Sequence, residues 1–577
     1  MLLQFLIILL NLLFPPSPEL EWLTPYEKSQ GQETATYEEC INYYQKLDEA
    51  YGEIKLFSYG LTDSGRPLHL VVLSLDQDFE PQSLRQKNKR LVLVQNGIHP
   101  GEPEGIDASM MLARDYMRQK KMRASLQNVV LLIIPVYNVD GALNRNSHSR
   151  VNQNGPVSYG FRGNARNLDL NRDYIKTDSR NARAFTQIFR EWQPDIFVDT
   201  HTSNGADYQH VMTLIATQKD KLNPALRNYL TQHLLPGLQG AMQKEKFPLA
   251  PYVHSKGTSP DTGLLGFMDS PRYSSGYTTL FNTIGFVTET HMLKPFDQRV
   301  KATYAFLDIM VKTVSRDAVR IAAARNTADQ ELLTQPEFAV DWQLDTTQVD
   351  KTQFRGYAAK YKTSEVSGQP RLYYDRKSPY TKNIPYYNTF KPTTLVTKAK
   401  AYVVPQAWGE VIARLQLNEV EMQQLPADVQ LDAEIYYLTD YKTAQRPYEG
   451  HYLHSGVKVR AEKKKILFFK GDYLVFLNQP ANRYLVETLE PQAVDSFFNW
   501  GFFDSILQQK EYFSDYVFED VAANLLKKDP QLRQQYEEWK KKNPELAKSA
   551  PAHLDFIYTH SPHYELSHLR YPVARIL

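Results

Sequence analysis

Apolar positions along the chain fall into two alternating patterns. Short continuous runs recur at Leu68–Ser74, Leu91–Val94, Val129–Pro135, Asp195–Val198 and Ile284–Val287. Stretches with mixed three- and four-residue spacing accompany them, at Tyr37–Ala50, Ala108–Lys120 and Ser179–Trp192. A continuous apolar strand needs cover on both faces, whereas three/four spacing marks a helix with one buried stripe. Strands of that kind alternating with helices predict an α/β fold with a mainly parallel mixed sheet and helices on both faces. One long helical pattern, Asp297 to about Leu333, closes this region.

After Pro336 the texture changes. Tyr, Thr and Val become frequent, and short alternating runs appear at Arg355–Lys362, Lys400–Val404, Ala433–Leu438 and Val457–Ala461. These predict a β-rich accessory region with one helical insert from Trp408 to Leu425. From about Ala493 the pattern is helical again, at Phe497–Gln509, Val517–Lys528 and Gln531–Lys542. The expected units are therefore 21–335 for the α/β domain, 336–492 for the β-rich region and 493–577 for a helical C-terminal segment.

Composition narrows the partners. A chain of 577 residues exceeds one ordinary domain. Its net charge of +2 offers no field for nucleic acid. The sole cysteine, Cys40, cannot form an internal disulfide and is read as a buried thiol. Met1–Phe14 is almost wholly apolar, too short to span a bilayer of about 30 Å and suited to a signal peptide. Residues 1–20 are thus expected to direct export, to the periplasm or the exterior, with no stable membrane span.

Candidate chemistry sits where the strands end. His99-Pro-Gly-Glu102 closely follows Leu91–Val94, and Asp199-Thr-His201-Thr follows Asp195–Val198. Zinc hydrolases take three nitrogen or oxygen ligands from the protein and keep one position open. His99, Glu102 and His201 make such a set. Asn138-Val-Asp-Gly141 follows the strand ending at Pro135, and Arg166-Asn-Leu-Asp-Leu-Asn-Arg-Asp173 is a dense polar cluster. Glu289, just beyond Ile284–Val287, is placed for a general base.

Taken in order, these motifs resemble the zinc metallocarboxypeptidases of the M14 family. The resemblance covers Tyr37 to Lys312. It extends to a branch of long bacterial members with a β-rich C-terminal extension, to which Pro447-Tyr-Glu-Gly-His-Tyr-Leu-His454 and Asn478-Gln-Pro-Ala-Asn-Arg-Tyr484 are similar. It implies one zinc per chain on His99, Glu102 and His201, with Asp169 orienting His99. It implies that Asn171 and Arg172 hold the substrate's terminal carboxylate through a planar guanidinium fork. Arg150 would stabilise the oxyanion, with Arg145, Arg162 and Arg166 close by in sequence, and Glu289 would be the base. Tyr277 is the first choice for the tyrosine that caps the substrate and Tyr273 the second, while Phe267 stands where spacing from the base points. Asp173, Thr290 and His291 depart from the family pattern, and Arg272 is a second candidate anchor.

The expected activity is removal of C-terminal residues from peptides with a free terminal carboxylate. Two other readings share these residues. One is an amidase acting on cell-wall peptides or N-acyl amino acids. The other is a peptide-binding protein without catalysis, against which the presence of Glu289 and all three ligand positions argues.

Overall fold

A computed structural model describes residues 22–577; the leader expected at 1–20 lies outside them. Among the described residues, nine strands precede residue 292: β1 (Ile54–Leu61), β2 (Pro67–Leu73), β3 (Arg90–Gln95), β4 (Val129–Ile134), β5 (Ile196–Ser203), β6 (Met212–Ala216), β7 (Ala250–Pro251), β8 (Leu264–Leu265) and β9 (Ile284–His291). All but β8 form one sheet, in the order β1-β2-β4-β3-β5-β9-β6-β7. The central pairs β4-β3, β3-β5 and β5-β9 are parallel, and so is the rim pair β6-β7; β1-β2, β2-β4 and β6-β9 are antiparallel.

Every residue of β3, β4 and β5 is buried, which is why these strands read as unbroken apolar runs. Their side chains alternate between two cores. Val92, Val94, Leu131, Ile133 and Val198 pack with helices Tyr37–Ala50, Glu104–Arg118 and Phe296–Arg316. Leu91, Leu93, Leu132, Ile134 and Phe197 pack on the other face with helix Arg180–Trp192. The chain leaves β3 toward β4 on one side, while β5 lies on the other. Beyond the C-terminal ends of β3 and β5 the connections diverge and leave a crevice, as at the switch point of an open α/β sheet.

The long helical pattern after Asp297 is two helices, Phe296–Arg316 and Ala318–Thr334. They part at Asp317, whose carboxylate takes up Arg316 and Tyr229 instead of continuing the helix. Beyond them come the antiparallel pair Glu337–Leu344 with Phe390–Thr397 and the long hairpin Asp350–Thr363 with Pro370–Tyr387. A six-stranded sheet follows. The helical insert is shorter than its pattern, Gly409–Leu417, and stops where Glu419 turns to φ 55°.

The helix expected over Phe497–Gln509 does not form. Gly501 stands at φ 79° and breaks it, and Phe497, Phe498, Trp500 and Phe503 are buried from irregular turns. Helices Asp515–Lys528, Pro530–Lys542 and Ala550–Thr559 follow, and the C-terminal segment ends in a strand rather than a helix. That strand, Ala574–Ile576, lies between Ala401–Val404 and Val429–Thr443 in the accessory sheet. The apolar core also crosses residue 335: Phe189 and Phe281 share one cluster with Tyr484 and Phe497. No helix among the described residues is long and apolar enough to cross a membrane. Cys40 is buried, and burial raises its thiol pKa well above the ordinary value.

Candidate active site

The turn after β3 is shaped by two glycines. A Cβ on Gly101 would stand 2.6 Å from Cδ of Arg150 and 3.0 Å from the carbonyl oxygen of Gly160. At Gly105 it would meet Oγ1 of Thr200 at 2.0 Å. Their absence of side chains lets Arg150 lie across the turn and lets helix Glu104–Arg118 start directly against β5. Between them Glu102 N–H donates to the carbonyl of His99 at 2.8 Å, folding the two side chains toward one point.

His201 reaches the same point from β5. The nearest donor atoms of His99, Glu102 and His201 all lie within 4.8 Å of one another. Nδ1 of His99 is 3.2 Å from Oε1 of Glu102, and Nδ1 of His201 is 3.2 Å from Oε2. Each imidazole has a carboxylate behind its other nitrogen: Asp169 is hydrogen-bonded to His99 Nε2 at 2.9 Å, and Asp199 lies 3.0 Å from His201 Nε2. Outer carboxylates of this kind fix the tautomer and aim the inner nitrogen. His99 Nδ1 is buried without a hydrogen-bond partner, the mark of a donor set arranged for something else. Two imidazoles and a carboxylate within tetrahedral reach are a fitting ligand set for zinc.

The electrostatics agree with three closely held charges. Burial opposes ionisation of Glu102, but His99, Arg150 and His201 outweigh it and hold its pKa well below the carboxylate range. Burial also opposes the charged form of His201, and there Asp199 and Glu102 prevail, so its pKa stands well above the ordinary value. Asp169 is held low in the same manner, with His99, Arg162 and Arg172 overcoming its burial. Asp199 was not singled out from the sequence. Its signal was present: two residues before His201 on one strand, it projects to the same side of the sheet.

In the parallel register of β5 and β9, His201 stands directly beside Glu289. Glu289 opens onto a cavity of about 500 Å³ also lined by His99, Glu102, Arg150, Arg162, Asn171 and Arg172. Burial, with Glu102 and Asp199, outweighs His201 and Arg162 and pushes the Glu289 pKa up to about 8. Of the four neighbouring arginines, Arg145 is bound to the carbonyls of Thr34 and Ala35, and Arg166 to that of Asp178. Arg150 Nη2 lies 3.0 Å from Glu102, and Arg162 binds Asp169 at 3.0 Å with 3.6 Å to Glu102. Two guanidinium groups, not one, therefore face the space beside Glu102.

Arg172 and Asn171 lie on the 3₁₀ turn Leu170–Arg172, capped by Asp169, whose Oδ1 accepts Asn171 N–H at 2.9 Å. Oδ1 of Asn171 is buried without a protein partner. Asp173 is structural: it gathers Lys176, the Asp178 N–H and Ser179 at the start of helix Arg180–Trp192. Asn138 is structural too, tying the carbonyls of Ile98 and Arg162 together with its amide. His291 binds the carbonyl of Ala206 at 2.8 Å, and burial brings its pKa down to about 4.

Tyr277 does not reach the cleft, contrary to its expected capping role. It is wholly buried on helix Ser274–Thr279, ringed by Phe189 and Phe281, with its hydroxyl donating to Asn418 at 2.6 Å. Tyr277 within the helix packs into the core, while Tyr273, extended just before the helix begins, lines the cavity with Tyr252 and Phe267. Arg272 is likewise committed, to Asp495, and is no second anchor.

Residues 40–227 match the Peptidase_M14 family model, zinc carboxypeptidase. Over those residues the chain is similar to that family, which supports a hydrolase of the peptidase kind. It is 24% identical over 428 residues to carboxypeptidase 2 of Trichophyton rubrum, covering 72% of this chain and 74% of that one. The corresponding Trichophyton equinum protein is 23% identical over 430 residues, with the same coverage. Among solved structures, a metallo-carboxypeptidase from Pseudomonas aeruginosa aligns over 50% of this chain and 70% of its own, at 14% identity and a TM-score of 0.37. The strand-end motifs His99 through His201 all fall inside the matched residues.

Proposed function

We propose that the chain is a zinc-dependent carboxypeptidase that releases C-terminal residues from peptides. The observation that carries this reading is the register of β5 and β9. It sets Glu289 beside His201, with the donor atoms of His99 and Glu102 at the same point and Arg172 lining the same cavity. Zinc held by His99, Glu102 and His201 would supply Lewis acidity, polarising a carbonyl and acidifying water.

The chain's own residues do the rest. Arg172 and the Asn171 amide bind the terminal carboxylate, so that the last peptide bond lies over Glu289. Glu289 takes the proton of the attacking water and returns it to the leaving amine. For that it must be ionised; the positive charge of a bound metal beside it favours the carboxylate over the protonated form. Arg150 and Arg162 are placed to donate to the developing oxyanion, a contribution of roughly 2.7–4 kcal/mol per donor. Tyr273 and Tyr252 are the tyrosines that face bound peptide. Export belongs to the same reading and is supported by the apolar stretch before Pro15.

Glu289→Gln tests the reading. It is expected to keep one zinc per chain and to lose hydrolysis by at least about 10²-fold. Unchanged turnover in that variant, or a chain that takes up no zinc, overturns it. Mass spectrometry of the products from peptides, muropeptides and N-acyl amino acids then separates a carboxypeptidase from an amidase.

A further inference from the structure

The accessory region sends one tight turn back to the candidate active site. Tyr448 and His451 exchange both backbone hydrogen bonds, at 2.7 and 3.0 Å. The two residues between them, Glu449 and Gly450, stand at φ 50° and φ 83°. A two-residue turn with both central φ angles positive ordinarily carries Asn, Asp or Gly first. Here it carries glutamate, and the carboxylate accepts the backbone N–H of Asp169 at 2.8 Å. Beside it the hydroxyl of Tyr448 accepts Nε of Arg172 at 2.9 Å. The Tyr448 ring is itself fixed, stacked on Trp500 at 6.2 Å with the Arg272 guanidinium 5.7 Å from its centroid.

Arg172 is thereby held on three sides. Its Nε meets Tyr448, its Nη1 donates to the Asn171 carbonyl at 2.8 Å, and its face lies 4.6 Å over the ring of Tyr273. Nη2 has no hydrogen-bond partner among the described residues. A guanidinium binds a carboxylate through two parallel bonds only when its plane is set.

Resting on the reading of Arg172 as the carboxylate anchor, we propose that Tyr448 is a positioning residue for the substrate's C-terminus. Its hydroxyl sets the plane of the Arg172 fork, and a turn 276 residues downstream completes the preference for a free chain end. The accessory region is then part of the specificity apparatus and not an appendage.

The test uses the full zinc-loaded chain with an N-blocked peptide as free acid and as C-terminal amide. Tyr448→Phe keeps the stack on Trp500 and removes the acceptor. It is expected to raise KM for the acid roughly tenfold with kcat within about twofold. Turnover of the amide should stay unchanged, so the acid-to-amide ratio of kcat/KM falls by the same factor. A readout apart from turnover is calorimetric affinity of the metal-free chain for an N-acetylated amino acid, expected to weaken similarly. The ratio is internal to each sample, so partial unfolding scales both substrates and leaves it unmoved. An unchanged ratio in Tyr448→Phe overturns the proposal. Arg172→Gln is the reference: if it abolishes the preference while Tyr448→Phe does not, only the positioning role falls. If Arg172→Gln also leaves the ratio intact, the anchor reading falls, and this proposal with it.

Discussion

At the scale of single residues, the site is governed by which nitrogen each histidine offers. Asp199 lies 3.0 Å behind Nε2 of His201, leaving Nδ1 to face Glu102. The same contact raises the pKa of His201 against the effect of burial. The metal-free site therefore holds a proton that zinc must displace, and apparent affinity is expected to rise about tenfold per pH unit below that pKa. Above it the slope should flatten. Asp199→Asn removes the charge that favours the proton, so its slope should flatten at a lower pH. The lost orientation should also weaken zinc by about 10–100-fold where both curves are flat. Chelator competition carried upward from about pH 5 until both curves flatten measures both effects. Identical curves for the two proteins would show that Asp199 does not act on His201.

At the scale of elements, helix Ser274–Thr279 shows what patterning can and cannot convey. Tyr273 and Tyr277 are four positions apart, on one short segment before β9, and both were candidates for the same role. Tyr273 is the extended residue just before the helix and lines the cavity, while Tyr277 inside the helix is buried against a partner, Asn418, which lies 141 residues away. Tyr277→Phe is accordingly expected to lower stability by about 1–3 kcal/mol, from the Asn418 oxygen left unpaired in the interior. KM and kcat should be unmoved. Tyr273→Phe should show the reverse, altered kinetics at near-constant Tm. Denaturant melts with peptide kinetics on both variants decide the point, and a kinetic defect in Tyr277→Phe at unchanged stability would reverse the assignment. The strands of the main sheet and the ligand turn were legible because burial on both faces leaves continuous apolar runs, and because strand ends advertise polar residues. Asp169 was legible only through the family motif, and Tyr448 not at all in its contact with Arg172, since that pairing depends on how distant elements meet. Phe497–Gln509 misled for a related reason: its aromatic spacing fits a helix, but the same side chains are buried equally well from turns once Gly501 takes a positive φ.

At the scale of the whole molecule, the region after residue 335 is bound to the peptidase half by more than chain connectivity. Arg414 donates to the Lys176 carbonyl at 2.6 Å and pairs with Asp178 at 3.0 Å, while His451 meets Asp178 at 2.7 Å. Arg272 and Asp495 form a second tie, and Phe189, Trp192 and Phe281 belong to a core completed by Tyr484, Phe497 and Trp500. A chain ending at residue 335 would leave that aromatic face open to water and Tyr277 without Asn418. Losing one buried partner already costs about 1–3 kcal/mol, and a whole domain is stable by only about 5–15 kcal/mol. The shortened chain is therefore expected to aggregate or to run as an expanded species in size-exclusion chromatography. It should be cleaved by added protease under conditions that leave the full chain intact. It retains all three zinc-ligand positions, but bound metal leaves the aromatic face uncovered, so exposure of that face is expected to persist with zinc added. A soluble, protease-resistant fragment with the full chain's activity would show instead that the peptidase half is self-sufficient, and that the buried aromatic contact is a consequence of tethering.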